Sequence, residues 1–288
     1  MFSPTNNHKP VALTFDLEFW HEGEWLKPYI SPDQHGIDML TESVTPILAL
    51  LKKYNARATF FVTAAVSQKY PELIKQIAAE NHEIGSHSIR HTKLENLAPA
   101  EFDAELGKQV TSIRELTGKA PIGFRAPHFS LEQKTAWILP ILAKHGFKYD
   151  SSLFPLKTPE YGVANAPTKP YRISFANIKE VETNSPLQEI PISIGKIFGV
   201  KFPIAGGIYF RLLPAWLFIK LFRRVIAESS FPLLYFHPHE LYANTPKITG
   251  PWLKTTLKYW GTKNSLAKFE KLLTAFQFDS IANLLKPQ

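Results

Sequence analysis

Apolar positions along this chain recur in blocks that alternate between a strand-like and a helix-like period. Val11-Ala12-Leu13-Thr14-Phe15 is a short apolar run ending at Asp16, the pattern of a buried strand. From Ile37 to Tyr54, residues Leu40, Val44, Ile47, Leu48 and Leu51 share one helical face, and Pro46 is expected to start or kink that helix. Arg57 to Val62 is β-rich, Pro71-Glu72 opens a helix running to about Asn81, and another helix spans roughly Pro99 to Leu116 before Gly118. Leu131 to His145 reads as a helix ended by Gly146. The alternation resumes with a strand at Ile190 to Ile194, a helix at Leu212 to Glu228, a strand at Leu233 to Phe236 and a last amphipathic helix at Ser265 to Phe276. Repeated strand–helix units predict an α/β fold, a mainly parallel sheet with helices packed outside it. Pro155 to Ser185, rich in Pro, Asn and Thr, reads as a long surface excursion near the mouth of the site. No repeat or boundary signal interrupts the pattern, so one domain over residues 1–288 is expected.

Unusual polar residues sit where the predicted strands end, which in parallel α/β folds is where catalytic groups gather. Asp16 and Glu18 follow the first strand, and His87 and His91 follow Glu83-Ile84-Gly85. Arg125 follows Gly123-Phe124, Asp150 follows Phe147-Lys148-Tyr149, and His237 follows Leu233 to Phe236. The four-residue spacing of His87 and His91 would place both imidazoles on one side of a helical turn, suiting two ligands of one divalent metal; alone, it equally fits two surface histidines. Asp16 and Glu18 would share a face if the strand continues, one ligating the metal and the other acting as general base; a capping Asp and a solvated Glu is the plainer alternative. Arg125 lies among apolar residues and calls for a carboxylate partner, because a buried unpaired guanidinium is costly. His237 is either functional or a satisfied buried histidine. Asp150 either fixes a histidine tautomer or caps the turn with Ser151 and Ser152.

Composition narrows the chemistry. There is no cysteine among the 288 residues, so a metal site must use histidine and carboxylate. The first ten residues hold no apolar h-region and no stretch approaches the ~18 apolar residues of a membrane span, so the chain as given reads as cytoplasmic. The formal net charge of +8 is dispersed, without the dense run of a nucleic-acid arm. No nucleic-acid partner is therefore expected; a phosphate-bearing substrate or an anionic membrane surface fits this charge, as does simple solubility.

Five segments together resemble the polysaccharide deacetylase family with the NodB homology domain, carbohydrate esterase family 4. They are Thr14-Phe15-Asp16-Leu17-Glu18, His87-Ser88-Ile89-Arg90-His91, Arg125-Ala126-Pro127-His128-Phe129, Asp150-Ser151-Ser152 and Leu234-Tyr235-Phe236-His237, in the family's order. Tyr149 to Pro155, Gly206-Gly207-Ile208-Tyr209-Phe210-Arg211-Leu212-Leu213-Pro214 and Tyr235 to Glu240 are similar to its exopolysaccharide-locus branch. The resemblance covers about residues 10–245, leaving a C-terminal helical extension at 246–288. It implies a distorted, incomplete (β/α)7-type barrel and hydrolysis of an acetamido group on an amino sugar.

By position, the resemblance makes Asp16 the general base and His87 and His91 metal ligands. Arg125 would orient Asp16, His237 would be the general acid tuned by Asp150, and the backbone N–H of His128 would donate to an oxyanion. The family's usual first motif has two adjacent aspartates, the second ligating the metal; Leu17 stands there in this chain, so Glu18 is assigned as third ligand, with Asp16 as the alternative. Two imidazoles and a carboxylate suit zinc first, then cobalt, nickel or iron. A cytoplasmic substrate would be a nucleotide- or lipid-linked N-acetyl sugar, with peripheral membrane contact through Leu212 to Ile226 and Trp252. Hydrolysis of a small non-sugar (cyclic) amide, or carbohydrate binding without catalysis, are the competing readings.

Overall fold

In the computed structural model, which describes residues 9–23, 27–37, 39–197 and 199–286, the first apolar run forms β1 (Val11–Leu17), buried along its whole length. The first eight residues, which bear on the signal-peptide expectation, lie outside those described. A strand buried on both faces must be central, and β1 is. It pairs in parallel with β2 (Thr59–Val62) on one side and with β10 (Leu233–Phe236) on the other, while β11 (Phe278–Asp279) pairs with its first residues.

Beyond β2 the sheet continues through β3 (Glu83–Ser86), β4 (Gly123–Phe124), β5 (Tyr149–Asp150) and β7 (Gln188–Glu189), all parallel, and ends on the antiparallel β6 (Tyr171–Arg172). The edges β10 and β6 do not meet, so the curled sheet is an incomplete barrel. A separate hairpin joins β8 (Ile194–Ile197) to β9 (Val200–Pro203).

The outer layer comprises α1 (Leu40–Lys53), α2 (Ala64–Lys69), α3 (Pro71–Ala79), α4 (Pro99–Thr117) and α5 (Ile138–Lys144), then α6 (Gly207–Leu212), α7 (Ala215–Glu228), α8 (Trp252–Tyr259), α9 (Ser265–Ala275) and α10 (Ile281–Leu284). Gly118 closes α4 in the left-handed region (φ 75°), where a Cβ would be strained. The apolar stripe Leu40, Val44, Ile47, Leu48, Leu51 is buried in the main core, which it shares with residues of β1 and β2.

Local hydrogen bonding redraws several sequence boundaries. α1 runs through Pro46 without starting there. The helix expected over 131–145 is shortened, because the Thr135 hydroxyl donates to the Ser130 carbonyl and accepts from the Glu132 N–H, holding a separate 3-10 turn before α5. Pro214, which has no N–H, separates α6 from α7. The strand expected at 190–194 is divided: β7 ends at Glu189 and Ile194 opens the hairpin. α8 lies within the helical extension expected over 246–288, although the apolar pattern delimits no separate helix at 252–259.

Candidate active site

Because β1, β3, β4, β5 and β10 run parallel, the residues that follow them emerge at one rim. Asp16, Glu18, His87, His91, His128 and His237 line a single cavity of about 380 Å³; Arg125 and Asp150 are fully buried beneath it.

Glu18, His87 and His91 form a buried cluster whose ligand-type atoms all lie within 4.8 Å of one another. The histidines do not ride on a helical turn, as their spacing suggested. Residues 87–91 form an irregular bend with Ser88 in the left-handed region (φ 66°), and that bend turns both rings inward, centroids 5.3 Å apart. Each ring is anchored on its far side, His87 Nδ1 at 2.8 Å from the Arg125 carbonyl and His91 Nδ1 at 3.3 Å from the Glu22 carbonyl. Donating from Nδ1 leaves the Nε2 lone pairs free, the tautomer a metal requires. Both Nε2 atoms face Glu18 Oε2, which touches His91 and lies 3.8 Å from His87. That oxygen is buried and accepts no hydrogen bond of good geometry. A buried carboxylate oxygen facing two lone pairs is unfavourable by itself, and a divalent cation among the three atoms would resolve it. The residues therefore fit a metal. The alternation along β1 turns Leu17 into the hydrophobic core and leaves Glu18 on the cavity side, beside the two histidines.

Asp16 has a different partner. Arg125 Nη1 donates to its Oδ1 at 2.8 Å and to the Thr14 hydroxyl at 2.8 Å, while Nε donates to the Ser151 carbonyl and Nη2 to the Ser151 hydroxyl. The guanidinium stacks 4.3 Å from the centre of the Phe61 ring. A fully buried arginine with this many acceptors is a fixed strut, and it holds Asp16 at the cavity floor.

His237 sits at the opposite wall, Nε2 3.6 Å from Glu18 Oε1. Its Nδ1 is 3.1 Å from Glu240 Oε2, which also accepts from the His237 backbone N–H at 3.0 Å. Glu240 in turn faces Arg211 Nη2 at 3.4 Å. Burial alone would depress the imidazole pKa, but the charges of Glu18 and Glu240 outweigh it and push the value up to about 9. Glu240 was missed from sequence, although the i,i+3 pairing His237-Pro238-His239-Glu240 offered a signal.

Asp150 does not orient His237, contrary to the expectation drawn from the resemblance. It lies under the rim, accepting at 2.5 Å from the Ser152 hydroxyl, which in turn accepts from the Ala126 N–H. Burial raises the pKa values of Asp150 and its neighbour Glu189, and the Asp150 charge raises that of Glu189 further, so the pair retains a proton. Asp150 Oδ2 and Glu189 Oε2 are otherwise unpartnered buried atoms, and a shared proton satisfies both. Carboxyls with raised folded-state pKa values bind protons more tightly when folded, so stability falls as pH rises from the unfolded values through the folded ones. Glu189→Gln keeps an acceptor for the Leu153 N–H and supplies a permanent donor to Asp150. We expect this variant to gain about 2–4 °C in Tm over the wild type at pH 8, for ~1 kcal/mol, and nothing at pH 4. Melting curves across pH check it, and a pH-independent difference contradicts the shared proton.

His128 occupies the left-handed region (φ 56°), its ring 4.1 Å from that of His91. The excursion after Pro155 supplies Thr158 to Tyr161 to the cavity wall. Tyr209, Arg211 and Lys258, from the helical second half, also line it, along with Trp20 and a half-buried His239, whose pKa its surroundings depress.

A polysaccharide deacetylase profile matches residues 3–149, and a domain of unknown function, DUF3473, matches residues 151–286. A peptidoglycan deacetylase of Helicobacter pylori is 32% identical over 150 residues, 50% of this chain and 50% of that protein. A peptidoglycan-N-acetylglucosamine deacetylase of Bacillus cereus is 32% identical over 137 residues, 47% of this chain and 42% of that protein. The chain thus spans half or less of these relatives' length. A crystal structure from Mycobacterium smegmatis, provisionally assigned as a polysaccharide deacetylase, superposes with a TM-score of 0.62 at 18% identity, covering 98% of this chain and 91% of that one. With a profile match over half its residues, and a barrel shared with that structure, the chain belongs to the polysaccharide deacetylase family.

Proposed function

We propose that the chain hydrolyses the N-acetyl group of an amino sugar and releases acetate. One observation carries this reading: the Glu18/His87/His91 cluster, the Asp16–Arg125 pair and the His237–Glu240 pair line or underlie one cavity. Amide hydrolysis needs three things, namely an activated water, a stabilised oxyanion and a proton for the leaving amine. A divalent cation held by Glu18, His87 and His91 would supply Lewis acidity, lowering the pKa of water and polarising the carbonyl, with zinc the first candidate.

Asp16, held in place by Arg125, is positioned to take the proton of the attacking water. The His128 N–H is assigned as an oxyanion donor, a contribution of about 2.7–4 kcal/mol in comparable sites. His237, with Glu240 on its Nδ1, is positioned to deliver a proton to the departing nitrogen, which cannot leave as an anion. The relatives named for peptidoglycan and N-acetylglucosamine support a GlcNAc-type sugar. The chain's own basic balance supports a nucleotide- or lipid-linked precursor. We expect acetate release from such a precursor or from N-acetylglucosamine oligomers, measured with added zinc, cobalt, nickel or iron. Turnover of cyclic amides with no acetate from any N-acetyl sugar overturns the reading.

A further inference from the structure

The second half of the chain exposes large apolar side chains beside the cavity. Trp216 is 67% exposed, Trp252 77%, Leu253 54% and Trp260 55%. α8 buries none of its residues: Trp252, Leu253 and Thr256 look outward, with Trp260 just beyond the helix end. Tyr259 reaches inward to the Trp20 cluster and donates to the Pro246 carbonyl at 2.7 Å.

The helix is stitched to the end of α6. Arg211 Nη1 donates to the carbonyls of Lys258 and Trp260 at 2.9 and 2.6 Å, and Gly261 packs so closely that a Cβ there would lie 2.7 Å from the Arg211 carbonyl oxygen. Leu212, itself exposed, follows Arg211 at the end of α6, and Trp216 lies in the first turn of α7 just beyond Pro214.

The charge around this face has one sign. Residues 211–227 contain four cations and no acid, and residues 241–269 contain five lysines and no acid; Arg211, Lys258 and Lys268 turn inward to backbone carbonyls, while Lys220, Arg223, Arg224, Lys247 and Lys263 are exposed. Single exposed apolar residues are ordinary, but several tryptophans among lysines and arginines are the composition of an interfacial element. A neutral sugar polymer would leave the cations without partners, and a second copy of this chain would bring like charge against like. No helix among the described residues is long and apolar enough to cross a membrane, so contact in the membrane plane is the mode that remains. Arg211 and Lys258 line the cavity and adjoin this face, so its orientation also sets where the cavity opens.

We propose that the α7–α8 face docks on an anionic lipid bilayer, with the tryptophans at headgroup level and the cations against the lipid phosphates. The docking stands apart from the reaction assigned above.

The test is co-flotation of the full chain with phosphatidylglycerol-rich and with pure phosphatidylcholine vesicles, for the wild type and a Trp216→Ser/Trp252→Ser/Trp260→Ser variant. These tryptophans are exposed and do not line the cavity, so Tm should hold. The wild type should partition at least about tenfold more onto the anionic vesicles, high salt should release it, and the triple variant should lose about tenfold. Absence of flotation, equal partition onto neutral vesicles, or wild-type partition of the triple variant overturns the proposal. So does a triple variant whose only change is a raised KM for soluble N-acetylglucosamine oligomers, which would make the face a sugar platform. Salt-sensitive flotation of a chain that deacetylates nothing supports the docking while rejecting the proposed reaction.

Discussion

Glu18→Gln is expected to give a folded protein that loses its divalent cation on desalting and loses at least about 10³-fold in kcat/KM. The magnitude follows from the several kcal/mol a Lewis acid contributes at a developing oxyanion, at about 1.4 kcal/mol per tenfold in rate. Gln keeps the size of Glu18 but removes the charge facing His87 and His91. The informative contrast is Asp16→Asn. Asp16 is held by Arg125 and lies outside the three-residue cluster, so this variant should bind metal normally and still lose turnover. Elemental analysis of the purified proteins, beside acetate-release kinetics, separates the two cases. Metal lost from Asp16→Asn but kept by Glu18→Gln would reverse the ligand assignment. Full occupancy in a His87→Ala/His91→Ala variant would falsify the metal site itself.

The second large effect is expected at His237. His237→Ala should keep wild-type metal content and KM while kcat falls roughly 10²–10⁴-fold, the range for a lost general acid. The side chain reaches the edge of the cluster without joining it, so removing it leaves the three ligand atoms in place. Glu240→Gln should reproduce part of the loss in kcat alone, since Gln preserves the packing against Arg211 but holds no charge on Nδ1. Loss of metal from His237→Ala would instead make His237 a ligand.

How much of this was legible beforehand depended on whether a signal was local. The central strand, most helices and the parallel order followed from periodicity, because burial on both faces leaves an apolar run and burial on one face leaves a stripe. The helix expected at 131–145 failed because side-chain hydrogen bonds from Ser130 and Thr135 compete with the backbone, a contest that propensity does not register. α8 fell within the expected C-terminal helical extension but was not delimited, because eight residues are too short to establish a period.

Within the site, strand-end position picked out Asp16, Glu18, His87, His91, Arg125, Asp150 and His237, which line or underlie the cavity, because parallel strands deliver their C-terminal ends to one rim. Which polar group meets which was a different matter. Glu18 lies 69 positions or more from His87 and 219 from His237, and no local pattern encodes where a bend at Ser88 will aim two imidazoles. The orienting carboxylate of His237 proved to be Glu240 because a short 3-10 turn folds it back onto the ring, while Asp150 was drawn into a buried pair with Glu189 across β5 and β7. The sequence by itself thus determined the fold class, the family and the roster of chemical groups, since these depend on composition, order and period. Pairing, tautomer and the outward turn of the tryptophan face were decided only in three dimensions, where distance sets both Coulomb attraction and hydrogen bonding.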